Sequence, residues 1–153
     1  MRPGGPSSAD DAWAASALLP GELELWRRLS APDRRHAVGV ARSVAGALPS
    51  AAASRPVLAA ALLHDVGKLD SGLGTWARVP ATLVGAVAGR ARAARWPGRV
   101  GAYLDHPARG AARLREAGSD PLTVAWAQEH HLPPAGWSVP PDVGAALAAA
   151  DDD

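Results

Sequence analysis

Proline and glycine divide this chain into short segments whose apolar residues follow a helical spacing. Ser30 and Asp33 form an S-x-x-D pair of the kind that caps a helix N-terminus, with Pro32 in the first turn. The segment that follows places apolar residues every three to four positions, from Ala37 to Leu48. Because convincing period-two alternation is absent, the sequence predicts an all-α fold.

The prolines and glycines also predict the remaining helices and an irregular N-terminal segment. We expect helices over residues 22–29, 57–66, 76–95, 99–104, 107–117, 121–131 and from 141 to the end. The segment 57–66 is apolar on every side, which predicts that it is buried. Residues 1–20 combine Pro, Gly and Ser with paired acidic residues, so we expect a disordered or loosely docked tail there and a folded domain over 21–153.

Length and composition exclude several classes of protein. A chain of 153 residues that is 48% hydrophobic suits one globular domain. The absence of cysteine excludes a disulfide framework, thiolate metal sites and a cysteine nucleophile. A net charge of +1 does not predict a nucleic-acid partner. No apolar run approaches the roughly 18 residues that cross a bilayer, and the first residues lack the apolar stretch of a secretory signal. We therefore expect a cytoplasmic protein without a membrane partner; its oligomeric state stays open.

The dipeptide His64–Asp65 ends the predicted buried helix. An ionised carboxylate near the interior is costly unless it is paired or binds a metal. An imidazole beside a carboxylate is half of a metal site, and a His–Asp hydrogen bond without metal is the alternative. Lys68, the only lysine, follows three residues later on the same helical face. It is either a phosphate contact or an ordinary surface residue.

The other four histidines have ordinary explanations when each is taken alone. His36 lies at the edge of an apolar stripe, where a hydrogen-bonded core histidine is common. His106 precedes a proline at a helix start and suits a capping role. His130 follows Trp126 by one turn and suits core stacking, while His131 would face another direction. None of the four predicts a metal ligand by itself.

Taken together, the five histidines resemble one family. The chain is similar to the H…HD…D pattern of HD-domain metal-dependent phosphohydrolases, with His36, His64–Asp65 followed by Val66-Gly67-Lys68, and Asp151 after Ala150. His106-Pro107 with Gly110 resembles the H-P-x-x-G of the HD-GYP subgroup, and His130–His131 resembles its paired histidines. The resemblance extends over about residues 33–151. The subgroup's D-G-x-G-Y-P stretch is missing, so cyclic di-GMP is not specifically expected as substrate.

The resemblance implies an HD-domain-like helical bundle with two divalent metal ions. Iron and manganese are the first candidates, and other divalent ions are alternatives. It implies one metal bound by His36, His64, Asp65 and Asp151, and a second bound by His106, His130 and His131, with Asp65 bridging both. It further implies hydrolysis of a phosphate ester by a metal-activated water, with Asp65 and Lys68 as catalytic residues and Lys68 on the phosphate. The substrate is then a small phosphorylated molecule, nucleotide-like, such as a nucleotide or a cyclic dinucleotide.

Two further residues are candidate substrate contacts, and two other functions stay open. Trp137 follows the paired histidines in a Pro-rich loop, and Arg95 lies in a basic stretch; core packing and a solvated surface are their respective alternatives. A diiron oxygenase on the same fold would use a similar ligand set but require dioxygen. A signalling or scaffold domain would keep the fold and lose a metal.

Overall fold

The computed structural model describes residues 4–70 and 105–152, and within these two ranges the chain is helical without strands. The helices are α1 (Ser8–Ser16), α2 (Pro20–Arg28), α3 (Ala31–Ala47), α4 (Arg55–Leu63), α5 (His106–Glu116), α6 (Pro121–Glu129) and α7 (Pro141–Asp152), with short 3₁₀ helices at Val66–Asp70 and Pro134–Gly136. The expected all-α fold is confirmed over the described residues. The helices expected at 76–95 and 99–104 lie outside the described residues.

Helix starts follow the capping signals of the sequence. The Ser30 hydroxyl accepts a hydrogen bond from the Asp33 amide at 3.3 Å, which satisfies one of the unpaired amides of α3. Proline occupies one of the first two positions of α2 to α6, where its missing N–H costs nothing. Gly118 closes α5 with φ at +76°, a backbone conformation that favours glycine.

Helix α4 lies at the centre of the packing. Its residues Val57, Leu62 and Leu63 are at most 2% exposed, in agreement with the apolar-all-round segment in the sequence. It packs against α2, α3 and α6, while α7 packs on α3 and α5 packs on α6. The Thr123 hydroxyl of α6 donates to the Pro56 carbonyl at 3.0 Å, which fixes α6 along α4. Helix α4 is therefore held in place by neighbouring helices on several sides.

The expectation of a disordered or loosely docked tail over residues 1–20 is wrong for residues 8–16, which form α1. Ser7 caps α1 by accepting from the Asp10 amide, the same S-x-x-D pattern that opens α3. Asp11 accepts from the Trp26 indole at 3.0 Å and from Arg34 at 3.2 Å. Residues 8–16 are thus a helix docked on α2 and α3, because its carboxylates find partners that are distant in sequence.

The helix expected over 57–66 ends earlier than the sequence predicts. Helix α4 stops at Leu63, and the 3₁₀ helix begins at Val66 after a turn that contains His64 and Asp65. The Lys68 amide donates to the Asp65 carbonyl at 2.9 Å, which is the first bond of the tighter helix. None of the helices within 4–70 and 105–152 has the length and hydropathy that crossing a membrane requires.

Candidate metal centre

The end of α4 places His64 and Asp65 among side chains from four other segments. His64 is 1% exposed, and its Nδ1 lies 2.9 Å from the Ala61 carbonyl oxygen. A ring nitrogen facing a carbonyl oxygen must carry the proton, so the neutral imidazole keeps a lone pair on Nε2. That Nε2 atom lies 3.1 Å from Asp151 Oδ1 and 3.5 Å from Asp65 Oδ2.

The first group of candidate ligands joins α3, the end of α4 and the last turn of α7. It consists of His36, His64 and Asp151, whose ligand atoms all lie within 4.8 Å of one another. Asp151 Oδ1 is 3.1 Å from the Nε2 atom of each of the two histidines. The side chain of His36 is 50% exposed, so this group reaches the protein surface. We call it the α3–α7 group.

The second group comes from the start of α5 and the end of α6. It consists of His106, His130 and His131, again with ligand atoms within 4.8 Å. The Nε2 atoms of His106 and His131 are 3.3 Å apart. His130 directs Nδ1 at the carbonyl oxygens of Trp126 and Ala127, at 3.2 and 3.0 Å, which leaves its Nε2 with a lone pair. We call it the α5–α6 group.

Asp65 lies between the two groups and turns one oxygen toward each. Its Oδ2 faces His64 at 3.5 Å, and its Oδ1 faces His106 at 3.2 Å and His130 at 3.8 Å. Lys68 contacts Oδ2 through its ammonium. The structure thus brings together all seven residues predicted as ligands, and it divides them as the resemblance implies. Their role as ligands stays a prediction.

Burial and charge set the protonation of the α3–α7 group. Burial alone would lower the pKa of His64, but the charges of Asp65 and Asp151 raise it to about 9. Burial would raise the pKa of Asp151, but hydrogen bonding to His36 and the charge of His64 hold it well below the usual range. Without a metal ion, His64 is therefore a cation at neutral pH, with a proton on each ring nitrogen, and it lies between two carboxylates.

The α5–α6 group has a different protonation. Burial lowers the pKa of His130 to about 4, and the charge of His64 adds to the effect. Burial would raise the pKa of Asp65, but the charges of His64 and Lys68 and a bond to His106 hold it well below the usual range. At neutral pH His130 is therefore a neutral imidazole beside an ionised carboxylate.

The buried Nε2 atoms test whether these residues suit a metal ion. Those of His64 and His130 are both buried, and neither has an aligned hydrogen bond within the described parts of the chain. A buried, unsatisfied polar atom costs free energy and calls for an explanation. Metal-binding histidines usually donate the other ring N–H to a carbonyl, as both do here. The donor set of imidazoles and carboxylates suits iron or manganese. The residues present fit a divalent metal ion.

A close backbone contact positions His106 beside Asp65, and sequence reasoning did not identify its cause. A Cβ atom on Gly67 would lie 1.8 Å from the His106 carbonyl oxygen and 2.7 Å from the Gly110 nitrogen. Only glycine at this position lets the 3₁₀ helix lie against the first turn of α5. The signal available in the sequence was a glycine two residues after Asp65, paired with the glycine of H-P-x-x-G.

Trp137, one of the two predicted substrate contacts, does not join either ligand group. Trp137 donates its indole N–H to the Leu132 carbonyl at 3.0 Å, and its ring packs on Trp126 at 5.4 Å. Trp126 in turn lies 6.3 Å from the His130 ring, so Trp137 packs one layer behind that histidine. Its role as a substrate contact stays a prediction. Arg95 lies outside the described residues.

Comparison of the chain with models of known protein families, with curated proteins and with solved structures finds no match. The interpretation of the site therefore depends on its residues and their geometry.

Proposed function

We propose that this protein is a metal-dependent phosphohydrolase with an HD-domain-like helical bundle that holds two divalent ions, iron or manganese. The observation that carries the proposal is the position of Asp65 between two separate ligand groups, with one oxygen toward each. A carboxylate shared in this way suits a pair of ions. One ion would be held by His36, His64, Asp151 and Asp65, and the other by His106, His130, His131 and Asp65.

Two divalent ions bound there supply Lewis acidity, which activates water and neutralises the charge of a phosphate group. The chain itself contributes Lys68, whose ammonium adds positive charge beside Asp65. Lys68 also helps to keep that carboxylate ionised. A centre with this charge favours an anionic substrate such as a phosphate ester.

The exposure of the α3–α7 group favours a catalytic over a purely structural site. Structural metal sites are closed by protein ligands, whereas catalytic sites keep a position open to water and substrate. His64 is buried, but the side chains of His36 and Asp151 are 50% and 29% exposed. Substrate can therefore approach the centre from this side of the described structure.

Metal content and hydrolysis test the proposal together. The protein is produced with added iron or manganese, and metal per chain is measured by elemental analysis. Hydrolysis of 4-nitrophenyl phosphate and bis(4-nitrophenyl) phosphate is then followed in air and under argon. We expect about two ions per chain and hydrolysis of at least one ester under both atmospheres.

Asp65→Asn should abolish binding of both ions and lower hydrolysis more than about 100-fold, because it removes the shared ligand. Asp142→Asn, an exposed position in the first turn of α7, is the matched control and should change neither. Two bound ions with no hydrolysis of any ester in air or argon would contradict the proposal. Turnover that requires dioxygen would replace it with the oxygenase alternative.

A further inference from the structure

A groove of about 400 Å³ lies between α3 and α7, next to the α3–α7 group. Its lining includes Arg35, His36, Gly39 and Ser43 of α3 and Ala150 of α7. His36 belongs both to this lining and to the α3–α7 group, and Ala150 directly precedes Asp151. The groove therefore opens onto the proposed metal centre, and its volume lies within the range of small-molecule sites.

Arg35 differs from the other two arginines of α3. Arg34 pairs with Asp11 at 3.2 Å, and Arg42 pairs with Asp10 at 3.1 Å. Arg35 lines the groove, and no carboxylate of residues 4–70 and 105–152 pairs with it. A guanidinium presents several N–H donors in a planar fork that matches a carboxylate or a phosphate.

The groove has open space at Gly39, one helical turn from Arg35, for part of a ligand. A Cβ atom added to Gly39 would meet no other atom within 4 Å. Val40 and Ala150 add small apolar surface to the lining. The combination of small apolar residues with one cation in the lining suits an organic group that carries a negative charge.

We propose that this groove binds a second anionic group of the substrate, a carboxylate or a further phosphate, and that Arg35 is its contact. The proposal depends on the proposed function, since it assumes that the reacting phosphate lies at the metal centre beside His36. The substrate class is then a phosphate ester whose organic part carries another anionic group. Arg35 determines specificity and takes no part in the bond cleavage.

A pair of non-hydrolysable ligands tests this by binding. Benzylphosphonate and 4-carboxybenzylphosphonate differ only in the distal carboxylate, and their affinities for the metal-loaded protein are measured by isothermal titration calorimetry. We expect the carboxylated ligand to bind about fivefold more tightly, as one exposed guanidinium–carboxylate pair permits. Arg35→Ala should remove this preference and leave the affinity for benzylphosphonate unchanged, and Arg35→Lys should retain part of it.

A second variant tests the groove itself. Gly39→Leu fills the space with a residue that helices accept, so the fold should persist while both the preference and the affinity for the carboxylated ligand fall. Gly46→Leu, at an exposed glycine of the same helix, is the control and should leave both unchanged.

The outcomes separate this inference from the proposed function. Equal affinities of the wild-type protein for the two phosphonates overturn the role of the groove, even if phosphate esters are hydrolysed. A preference that survives Arg35→Ala overturns the role of Arg35. Failure of the metal-loaded protein to bind either phosphonate overturns this inference, and the proposed function falls with it only if the protein also hydrolyses no phosphate ester.

Discussion

The two ligand groups on either side of Asp65 are built in different ways. The α5–α6 group comes from two helices that are consecutive in sequence and pack on each other. The α3–α7 group needs His36 and Asp151, which are 115 residues apart and meet only through the packing of α7 on α3. The first group depends on the packing of two consecutive helices, and the second depends on a contact between helices that are distant in sequence. Different substitutions should therefore disrupt the two groups.

Each group combines one buried, one partly buried and one exposed residue, but the two groups have different neighbours. His106 is 1% exposed and is held by the close contact between Gly67 and the first turn of α5. His36 is half exposed and lies on the edge of a groove. The close backbone contact beside the α5–α6 group suits metal retention, and the groove beside the α3–α7 group suits substrate access.

The largest expected effect comes from the backbone contact that supports the α5–α6 group. Gly67→Ala places a methyl group against the backbone of His106 and Gly110, so the 3₁₀ helix and α5 must separate. We expect a loss of about 3 kcal/mol in the free energy of unfolding, at the upper end of overpacking effects. We also expect weaker binding of the ion at the α5–α6 group. Urea unfolding and elemental analysis measure the two effects.

Gly46→Ala is the control for that substitution. Gly46 is exposed on α3 with open space around its Cβ position, so alanine should stabilise the protein by about 0.5–1 kcal/mol. If Gly67→Ala were as benign as Gly46→Ala, the close approach of the 3₁₀ helix to α5 would not be what positions His106.

The helices could largely be predicted from the sequence, because their starts are local signals. Ser30 with Asp33 opens α3, and prolines in the first turns mark the others. The same S-x-x-D pattern is present at Ser7 and Asp10, but the Pro, Gly and Ser around it are typical of a disordered segment. Its docking depends on Asp11 meeting Trp26 and Arg34, contacts that no local pattern shows.

The candidate site could be predicted only because the histidines resemble a family pattern. Taken singly, His36 and His106 had ordinary explanations, and periodicity does not show that α3 and α5 approach the same carboxylate. The contact of Gly67 with α5 escaped prediction for a related reason. A glycine after a helix can mark any turn, and only the structure shows a backbone 1.8 Å from its missing Cβ.

Asp151→Asn tests whether the two groups bind their ions independently. The substitution removes an anionic ligand from the α3–α7 group and leaves the α5–α6 group intact. We expect the metal content to fall from about two ions to about one per chain, and hydrolysis to fall more than about tenfold. Asp152→Asn, at the exposed neighbouring position, should change neither quantity. Loss of both ions from the Asp151 variant would show that the groups are coupled.

The smallest effect concerns the protons released when the ions bind. The pKa of His64 in the metal-free protein is raised to about 9, so at pH 7.5 this histidine is protonated and must lose its proton to bind an ion. The pKa of His130 is lowered to about 4, so at the same pH it is already neutral. Binding at the α3–α7 group should therefore release about one proton, and binding at the α5–α6 group should release none from His130.

The sign of the linked change in stability follows from the same values. His64 has a higher pKa in the folded protein than its ordinary 6.5, so its stabilising contribution is complete below pH 6.5 and is lost as the pH rises through about 9. His130 is the reverse, since its lowered pKa destabilises the fold as the pH falls from 6.5 toward 4. Metal affinity at the α3–α7 group should accordingly increase up to about pH 9, where the competing proton is gone.

Calorimetric titration with Mn²⁺ at pH 7.5, in two buffers of different ionisation enthalpy, measures the protons released at each step. The wild-type protein should show one step that depends on the buffer and one that depends on it less. The Asp151→Asn variant should retain only the second, because its remaining ion binds at the α5–α6 group. Equal proton release at both steps would mean that the two groups do not differ in protonation, and the contrast between them would then reduce to the way each group is packed.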